Sequence, residues 1–430
     1  MIRTWPTNFA VAARLAPPNS PGKPAHGPLW KPTAAYSTLP EEAAMARILI
    51  DARCLGESPT GVGSYARALI AHLAELHHDH ELVLLRNRSN TTPITDAALP
   101  QIASSVPPDN LKNHLLGHRA LADAASQLGS PDIYHSLFHI LPRYTRQALP
   151  EAGVVTTLHD LVWLDHPDAS QPTWLKARSI QAFARTAIPH ALNTSDAVIA
   201  ISRPTAERAR QLLSSKSTSL HTIHHGVHAR FFEPPPPLTG PLSELAGPDA
   251  PPFFVAIGNH KPYKNLRLLI DAFARLPAHS PRPHLVLIGD CQGLSTHIGE
   301  SGVSERIHLP GLVDDELLRA LLGRARAFVF PSLVEGFGLP ILEAMAMGRP
   351  TLVSDLEPMR SIAGEAALLF HPHSPDDLSR LLHRLLVAPE LAERLSQRSL
   401  TRAHSFRWEH TAERTLKVYE ELLARGTSRR

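Results

Sequence analysis

The sequence predicts an α/β protein built from two doubly wound domains that face a common cleft. Short β-type runs alternate with helical patterns through the first half of the chain. The alternation breaks in a proline-rich stretch and then restarts. Two parallel sheets covered by helices satisfy all three observations, and in open α/β sheets ligands bind beyond the carboxyl ends of the strands.

Residues 1–44 precede this pattern. Pro6, Pro17, Pro18, Pro21, Pro24, Pro28, Pro32 and Pro40 punctuate them and no apolar period survives, so they read as a disordered extension or an over-extended start. Met45, directly before the first strand, favours the second reading. No compact apolar region with a small-residue cleavage site is present, which argues against a secretory signal. Arg3, Arg14 and Lys23, with no acid before Glu41, leave a transit peptide open.

The first domain, residues 45–233, offers strands at 46–50, 82–85, 133–135, 154–158 and 197–201, with helices such as 64–76 and 173–192 between them. Pro234 to Pro237 run consecutively, and Pro241, Pro248, Pro251 and Pro252 follow. Such a stretch suits neither a central strand nor a helix interior, so residues 234–252 are expected to be an interdomain linker. The second domain, 253–407, offers strands at 253–257, 285–288, 307–309, 327–331, 350–354 and 367–370, and a helix at 266–276. An amphipathic helix at 410–423 ends the pattern.

Composition narrows the function. The 430 residues are 43% hydrophobic and 19% charged, as in globular proteins. No apolar run reaches the roughly 18 residues of a membrane span. A net charge of +3 does not call for a nucleic-acid partner. Cys54 and Cys291 give neither a disulfide framework nor a metal-ligand spacing, which suits a reducing cytoplasm.

Four segments carry chemistry. In residues 331–350 a strand ends, a glycine-bearing turn follows, and Pro340 marks a helix start. Free N–H groups at such a helix start favour a diphosphate. Glu335 lies in the turn and Glu343 about one helical turn further in, so their carboxylates can reach different parts of one ligand and accept paired hydroxyls. Capping and a surface acid are the bland alternative. Residues 51–65 place Gly61 and Gly63 between a strand and a helix, where the backbone can approach a ligand closely. In residues 154–161 a strand ends in His159 and Asp160. His159 can donate to a hydroxyl or phosphate oxygen, and Asp160 either orients it or caps the next turn. Residues 257–265 bring Asn259, Lys261 and Lys264 between a strand and a helix, where a cation would neutralise a departing diphosphate. Asp314, Asp315 and Glu316 read as a helix cap and not as a metal site.

Glu335 and Glu343, set in EGFGLPILE with seven residues between them, resemble the paired-glutamate motif of the retaining GT-B glycosyltransferases of family 4, in particular the bacterial mannosyltransferase-like members. The resemblance runs from about Met45 to the C-terminus. It implies the GT-B fold: two Rossmann-like domains facing a central cleft, the first binding acceptor, the second binding nucleotide-sugar, and a C-terminal helix (408–425) crossing back to the first. It implies that Glu335 faces the donor sugar, that Glu343 holds the ribose, and that the Gly338 and Leu339 backbone holds the diphosphate, with Phe337 in the same donor loop. Gly61 and Gly63 resemble the loop that closes over acceptor and phosphates. His159 and Lys264 match the family's histidine and lysine, and Ser202 its serine at a strand end. Asn259 stands where many members carry arginine, so Lys261 supplies the second charge or the site runs on one cation. Ser361 stands where relatives usually show glutamate.

The implied reaction is retaining transfer of a hexose, mannose favoured, from a GDP- or UDP-sugar to a saccharide or lipid-linked saccharide. Cell-surface polysaccharide biosynthesis in the cytoplasm is the expected setting. The donor is a co-substrate, and no further cofactor and no metal are expected. The helix at 173–192, with Lys176, Arg178 and Arg185, is either a peripheral membrane contact or a solvated face. The rival readings are a non-catalytic scaffold of a polysaccharide assembly complex and an epimerase or phosphorylase on the same fold.

Overall fold

The computed structural model describes residues 45–55, 61–88, 94, 98–108, 111–170, 173–215, 217–247, 249–277 and 282–427. The expectations for residues 1–44 lie outside the described residues.

The first sheet has seven parallel strands: β1 Arg47–Asp51, β2 Glu81–Asn87, β3 Gln101–Ser104, β4 Ile133–Ser136, β5 Gly153–Leu158, β6 Ala197–Ala200 and β7 Ser219–Thr222. Their order across the sheet is β3-β2-β1-β4-β5-β6-β7. Ile48 pairs with Leu82 on one side and Ile133 on the other. The central strands are buried on both faces because helices cover both; β6 reads AVIA throughout, while β4 also buries His135 and Ser136. The sequence reading missed β3 and β7. Both are edge strands with polar residues and partial cover, so neither offers an apolar run.

The second sheet has six parallel strands: β8 Phe253–Ile257, β9 His284–Ile288, β10 Ile307–Gly311, β11 Ala327–Phe330, β12 Thr351–Ser354 and β13 Ala367–Phe370. Their order is β10-β9-β8-β11-β12-β13. In both sheets the order reverses beside the first strand, and a ligand crevice opens at such a point.

The proline-rich stretch is not a free linker. Arg319 Nη2 donates to the Pro234 carbonyl at 3.1 Å and Arg324 Nη1 to that of Pro236 at 2.8 Å. Leu238, Leu242 and Leu245 are buried in the core of the second sheet. Prolines cannot donate main-chain bonds, so their carbonyls are left to accept from arginines of the helix Asp315–Arg324.

The chain passes between the lobes twice. The last helix, Trp408–Thr427, buries Trp408, Ala412, Leu416, Tyr419 and Leu422 in the core of the first sheet, beside Leu69 and Leu73 of the helix Gly61–Glu75. Its entry runs alongside the first crossing. The Val227 N–H donates to the Phe406 carbonyl at 3.1 Å, Val227 pairs with Arg407 in a parallel bridge, and Thr411 Oγ1 donates to the His224 carbonyl at 2.8 Å. Glycine is required at 226, since a Cβ there would lie 2.1 Å from the Trp408 nitrogen. Gly226→Ala should therefore destabilise the fold by roughly 2–3 kcal/mol, read as a lower urea midpoint.

Candidate functional site

The glutamate loop follows β11. Gly338 adopts φ 108°, a left-handed conformation that suits glycine, and starts the helix Leu339–Ala346 with Pro340 in its first turn. The first-turn N–H groups of a helix have no intrahelical partner, so this end favours an anion.

A second loop lies against it. After β8, Asn259 Oδ1 accepts from the Lys261 N–H at 3.1 Å and shapes the turn, while Lys261 itself is exposed. Asn265 turns the chain at φ 54° and enters the helix Leu266–Ala274. The Leu333 N–H donates to the Tyr263 carbonyl at 2.7 Å and ties the two loops together. Lys264 Nζ then reaches Glu335 Oε1 at 2.6 Å, with both side chains mostly buried. Burial would lower the Lys264 pKa, but Glu335, Tyr263 and Asp160 outweigh it, so the ammonium is held above its ordinary value and stays charged. Its Nζ also lies 5.2 Å from the Tyr263 ring centroid and 5.6 Å from that of Phe330.

The lobes meet at this loop. A Cβ on Gly336 would lie 2.2 Å from the His159 carbonyl oxygen and 3.0 Å from Asp160 Cβ, so only glycine permits the approach. The end of β5 thus faces the loop that carries Glu335.

The geometry corrects several side-chain roles. His159 was expected to donate to a ligand, but its Nε2–H donates to the Leu137 carbonyl at 2.8 Å. Burial pushes its pKa down to about 4 against the pull of that carbonyl, so the ring is neutral at pH 7 and offers Nδ1 as an acceptor. Asp160 does not orient it: Oδ1 accepts from the Val162 N–H at 3.0 Å, which is the capping alternative. Burial raises the Asp160 pKa, opposed by the Val162 N–H, His159 and Lys264.

Ser202 caps the helix Arg203–Leu212, its Oγ accepting from the Thr205 N–H at 3.4 Å and donating to Thr205 Oγ1 at 2.9 Å. That hydroxyl is committed to the cap, which leaves the backbone of Ser202 as the other way to meet a ligand. The Phe337 ring is buried, 4.7 Å from the His225 ring, so its side chain packs where residues of both lobes meet. Gly61 opens the helix Gly61–Glu75, and Gly63 lies two residues further on. A Cβ on Gly61 would meet nothing within 4 Å, so packing alone does not demand glycine there. Residues 56–60 lie outside the described residues. Asp314 caps the helix Asp315–Arg324, its Oδ1 accepting from the Leu317 N–H at 2.8 Å.

Glu343 sits inside the helix Leu339–Ala346, near the Arg230–Asp315 ion pair, whose Nη2–Oδ2 distance is 2.8 Å. Burial, with Asp315 adding and Arg230 opposing, pushes its pKa up to about 7.

Sequence reasoning missed the layer beneath the site. Tyr65 OH and Thr157 Oγ1 lie 3.1 Å apart, His135 Nε2 reaches the same Oγ1 at 2.9 Å, and His135 Nδ1 reaches Tyr419 OH at 2.6 Å. This buried network links the helix after the glycine loop, β5, β4 and the last helix. Tyr65 also meets the His159 ring edge-on at 4.9 Å and stacks on His225 at 4.8 Å. The one local signal was the placement of Tyr65 on the apolar face of its helix.

Comparison with known families agrees with this geometry. The model described as Glycosyltransferase Family 4 matches residues 59–231, and that described as Glycosyl transferases group 1 matches residues 243–402. The chain belongs to the family 4 glycosyltransferases. An Escherichia coli relative, O-antigen chain mannosyltransferase B, is 25% identical over 385 residues, covering 84% of this chain and 96% of that protein. The fold of this glycosyltransferase matches sucrose-phosphate synthase from Thermosynechococcus elongatus with a TM-score of 0.71 at 21% identity, covering 88% of this chain and 99% of that one. It also matches the Anabaena HepE protein in complex with UDP-glucose with a TM-score of 0.64 at 16% identity, covering 87% and 100%. The GT-B architecture is thus shared across relatives of low identity.

Gly336→Ala should force the loop away from His159 by about 1 Å. Transfer by this glycosyltransferase should then fall about a hundredfold, measured well below the variant's own urea and thermal midpoints so that the chain is folded in the assay.

Proposed function

We propose that this glycosyltransferase moves a hexose, mannose favoured, with retention of configuration from a GDP- or UDP-sugar to a saccharide or lipid-linked saccharide in cell-surface polysaccharide biosynthesis. The observation that carries the reading is the Lys264–Glu335 pair, which stands beside a glycine-started helix and against His159 of the other lobe. The printed name of the Escherichia coli relative supports mannose and a polysaccharide product, and the Anabaena complex supports a nucleotide-sugar donor.

In this reading the diphosphate sits on Lys264 and the Gly338 and Leu339 N–H groups. Lys261, exposed at the mouth of the same turn, adds a second charge. Lys264 thereby takes the neutralising role, and the donor needs no further cofactor. Glu335 turns from Lys264 to the sugar hydroxyls and Glu343 accepts from the ribose. His159 Nδ1 accepts from a sugar hydroxyl. The bond from the anomeric carbon to the phosphate oxygen breaks, and the acceptor oxygen bonds that carbon on the same face. The acceptor's proton passes to the departing phosphate oxygen. Lobe closure excludes water and limits donor hydrolysis.

The setting we propose is cytoplasmic, with peripheral contact at the inner face of the membrane. No helix among the described residues is long and apolar enough to cross a membrane. The helix Trp174–Thr194 exposes Trp174 at 70% and Leu175 at 62%, next to Lys176 and Arg178, and contains no acid. Such a face suits an anionic lipid surface holding the acceptor.

A thermal-shift series with GDP, UDP and their hexose conjugates tests the donor. At least one nucleoside diphosphate should raise the melting temperature more than inorganic pyrophosphate does, and Lys264→Ala should abolish that difference. Absence of any such difference at millimolar ligand would favour the scaffold reading, and an inverted anomeric centre in the product would refute retention.

Ionised, Glu343 accepts from the ribose hydroxyls through both oxygens in charge-assisted bonds; protonated, it accepts more weakly. With a pKa near 7 in the free protein, affinity for the diphosphate should rise as pH passes upward through 7 and level off above it. Glu343→Gln should flatten that rise and weaken binding by about tenfold, measured by calorimetry across pH 6 to 8.5.

A further inference from the structure

Where the two crossings run side by side, the surface opens into a cleft of about 190 Å³ lined by His224, His225, Arg402, Arg407, His410 and Arg414, among others. An adjoining cavity of about 540 Å³ shares Arg402 with it and adds Arg394 and Arg398, against Glu365 as the one acid in its lining. Five guanidinium groups therefore border one continuous depression. None of the arginines belongs to the site described above; His225 alone touches the layer beneath it, through Tyr65.

The arrangement is costly without a counter-charge. Arg394, Arg398 and Arg402 follow one another at a spacing of four on the helix Pro389–Ala403, where like charges share a face and repel. Among the described residues, Arg394, Arg398, Arg402 and Arg414 have no carboxylate within 4.0 Å, and Arg407 meets Glu409 only at 3.9 Å. Arg402 is held in place: Nε donates to the Ile362 carbonyl at 2.9 Å, Nη2 to that of Ser361 at 2.7 Å, and its guanidinium lies 4.8 Å from the Phe406 ring centroid. Those bonds fix the group and leave Nη1 for a ligand.

His225 supplies an independent observation. It is 5% exposed, lines the smaller cleft, and neither of its ring nitrogens has a partner. A buried polar ring left without hydrogen bonds marks a place where a polar group from outside is expected.

We infer that this depression is a second anion site, which binds a ligand bearing phosphoryl groups separately from the donor. Guanidinium forks match phosphate oxygens in pairs. The row of arginines, continued by Arg407 and Arg414, suits an anion with more than one phosphate. The lining joins residues 223–225 of the first crossing to residues 402–414 of the second, so the bound anion fastens the two crossings together and sets the stiffness of the hinge.

The test uses the full chain carrying Lys264→Ala and Lys261→Ala, which removes both cations of the donor site, and inorganic pyrophosphate as the probe. Pyrophosphate should raise the melting temperature of this chain, and adding Arg398→Glu with Arg414→Glu should weaken binding by about tenfold or more. In the background with Lys264 and Lys261 intact, the same two arginine changes should leave basal transfer unchanged. In a parallel arm, vesicles of phosphatidylglycerol and phosphatidylcholine are sedimented with the chain. Retention that depends on Arg398 and Arg414 without pyrophosphate binding would assign the phosphoryl group to a lipid headgroup. If neither probe binds, or if binding is indifferent to the arginine changes, the site does not exist. Arg394→Glu, alone on the exposed face, repeats the measurement should the double change unfold the chain.

Discussion

The two crossings of the chain, laid side by side, are the constraint on which the rest of the molecule depends. Gly226 lets the first approach the backbone of Trp408, and Val227 pairs with Arg407. From this seam the last helix reaches back to the first sheet, while Phe406 joins Phe231 and Phe337 in the core of the second. One β-bridge and the hydrogen bonds from Val227 and Thr411 join the crossings, so the lobes are tethered along this side. Everything that faces the cleft inherits its alignment from that tether.

The reacting groups are placed by a second close approach. Gly336 brings the glutamate loop to the carbonyl of His159, and Tyr263 ties the lysine loop to the same place through Leu333. Neither lobe alone holds the arrangement. Beneath it, the network from Tyr65 through Thr157 and His135 to Tyr419 connects the first helix with the last. The site is therefore supported by the element that makes the crossing, and its geometry responds to the hinge.

The sequence made some of this legible and hid the rest for physical reasons. The strands of the sheet interiors read clearly because they are buried on both faces; β3 and β7 did not, because edge strands carry polar residues. Glu335, Lys264 and Gly338 lie in loops whose shape is set by near neighbours, so their adjacency could be anticipated from local spacing. The tautomer of His159 could not, because the Leu137 carbonyl that decides it lies on a different segment. Ser202 and Asp160 look alike as ligand contacts or caps until the helix start is located. Phe337 reads with the loop around it, and its ring packs on His225, a contact with a distant segment that local spacing does not reveal. The proline-rich stretch reads as an interdomain linker, and the anchoring of its Pro234 and Pro236 carbonyls by Arg319 and Arg324 depends on a helix far along the chain.

The ion pair between Lys264 and Glu335 has one more implication. At rest the site is electrically self-satisfied: the ammonium already has its anion and the carboxylate its cation. A stray phosphate offers the lysine an exchange but strands a mostly buried carboxylate, and a free sugar does the reverse. A single molecule that carries an anion and hydroxyl donors at the right separation compensates both partners in one step. Selectivity then resides in the conjunction of two weak demands, and the protein discriminates against either fragment without building a barrier to it.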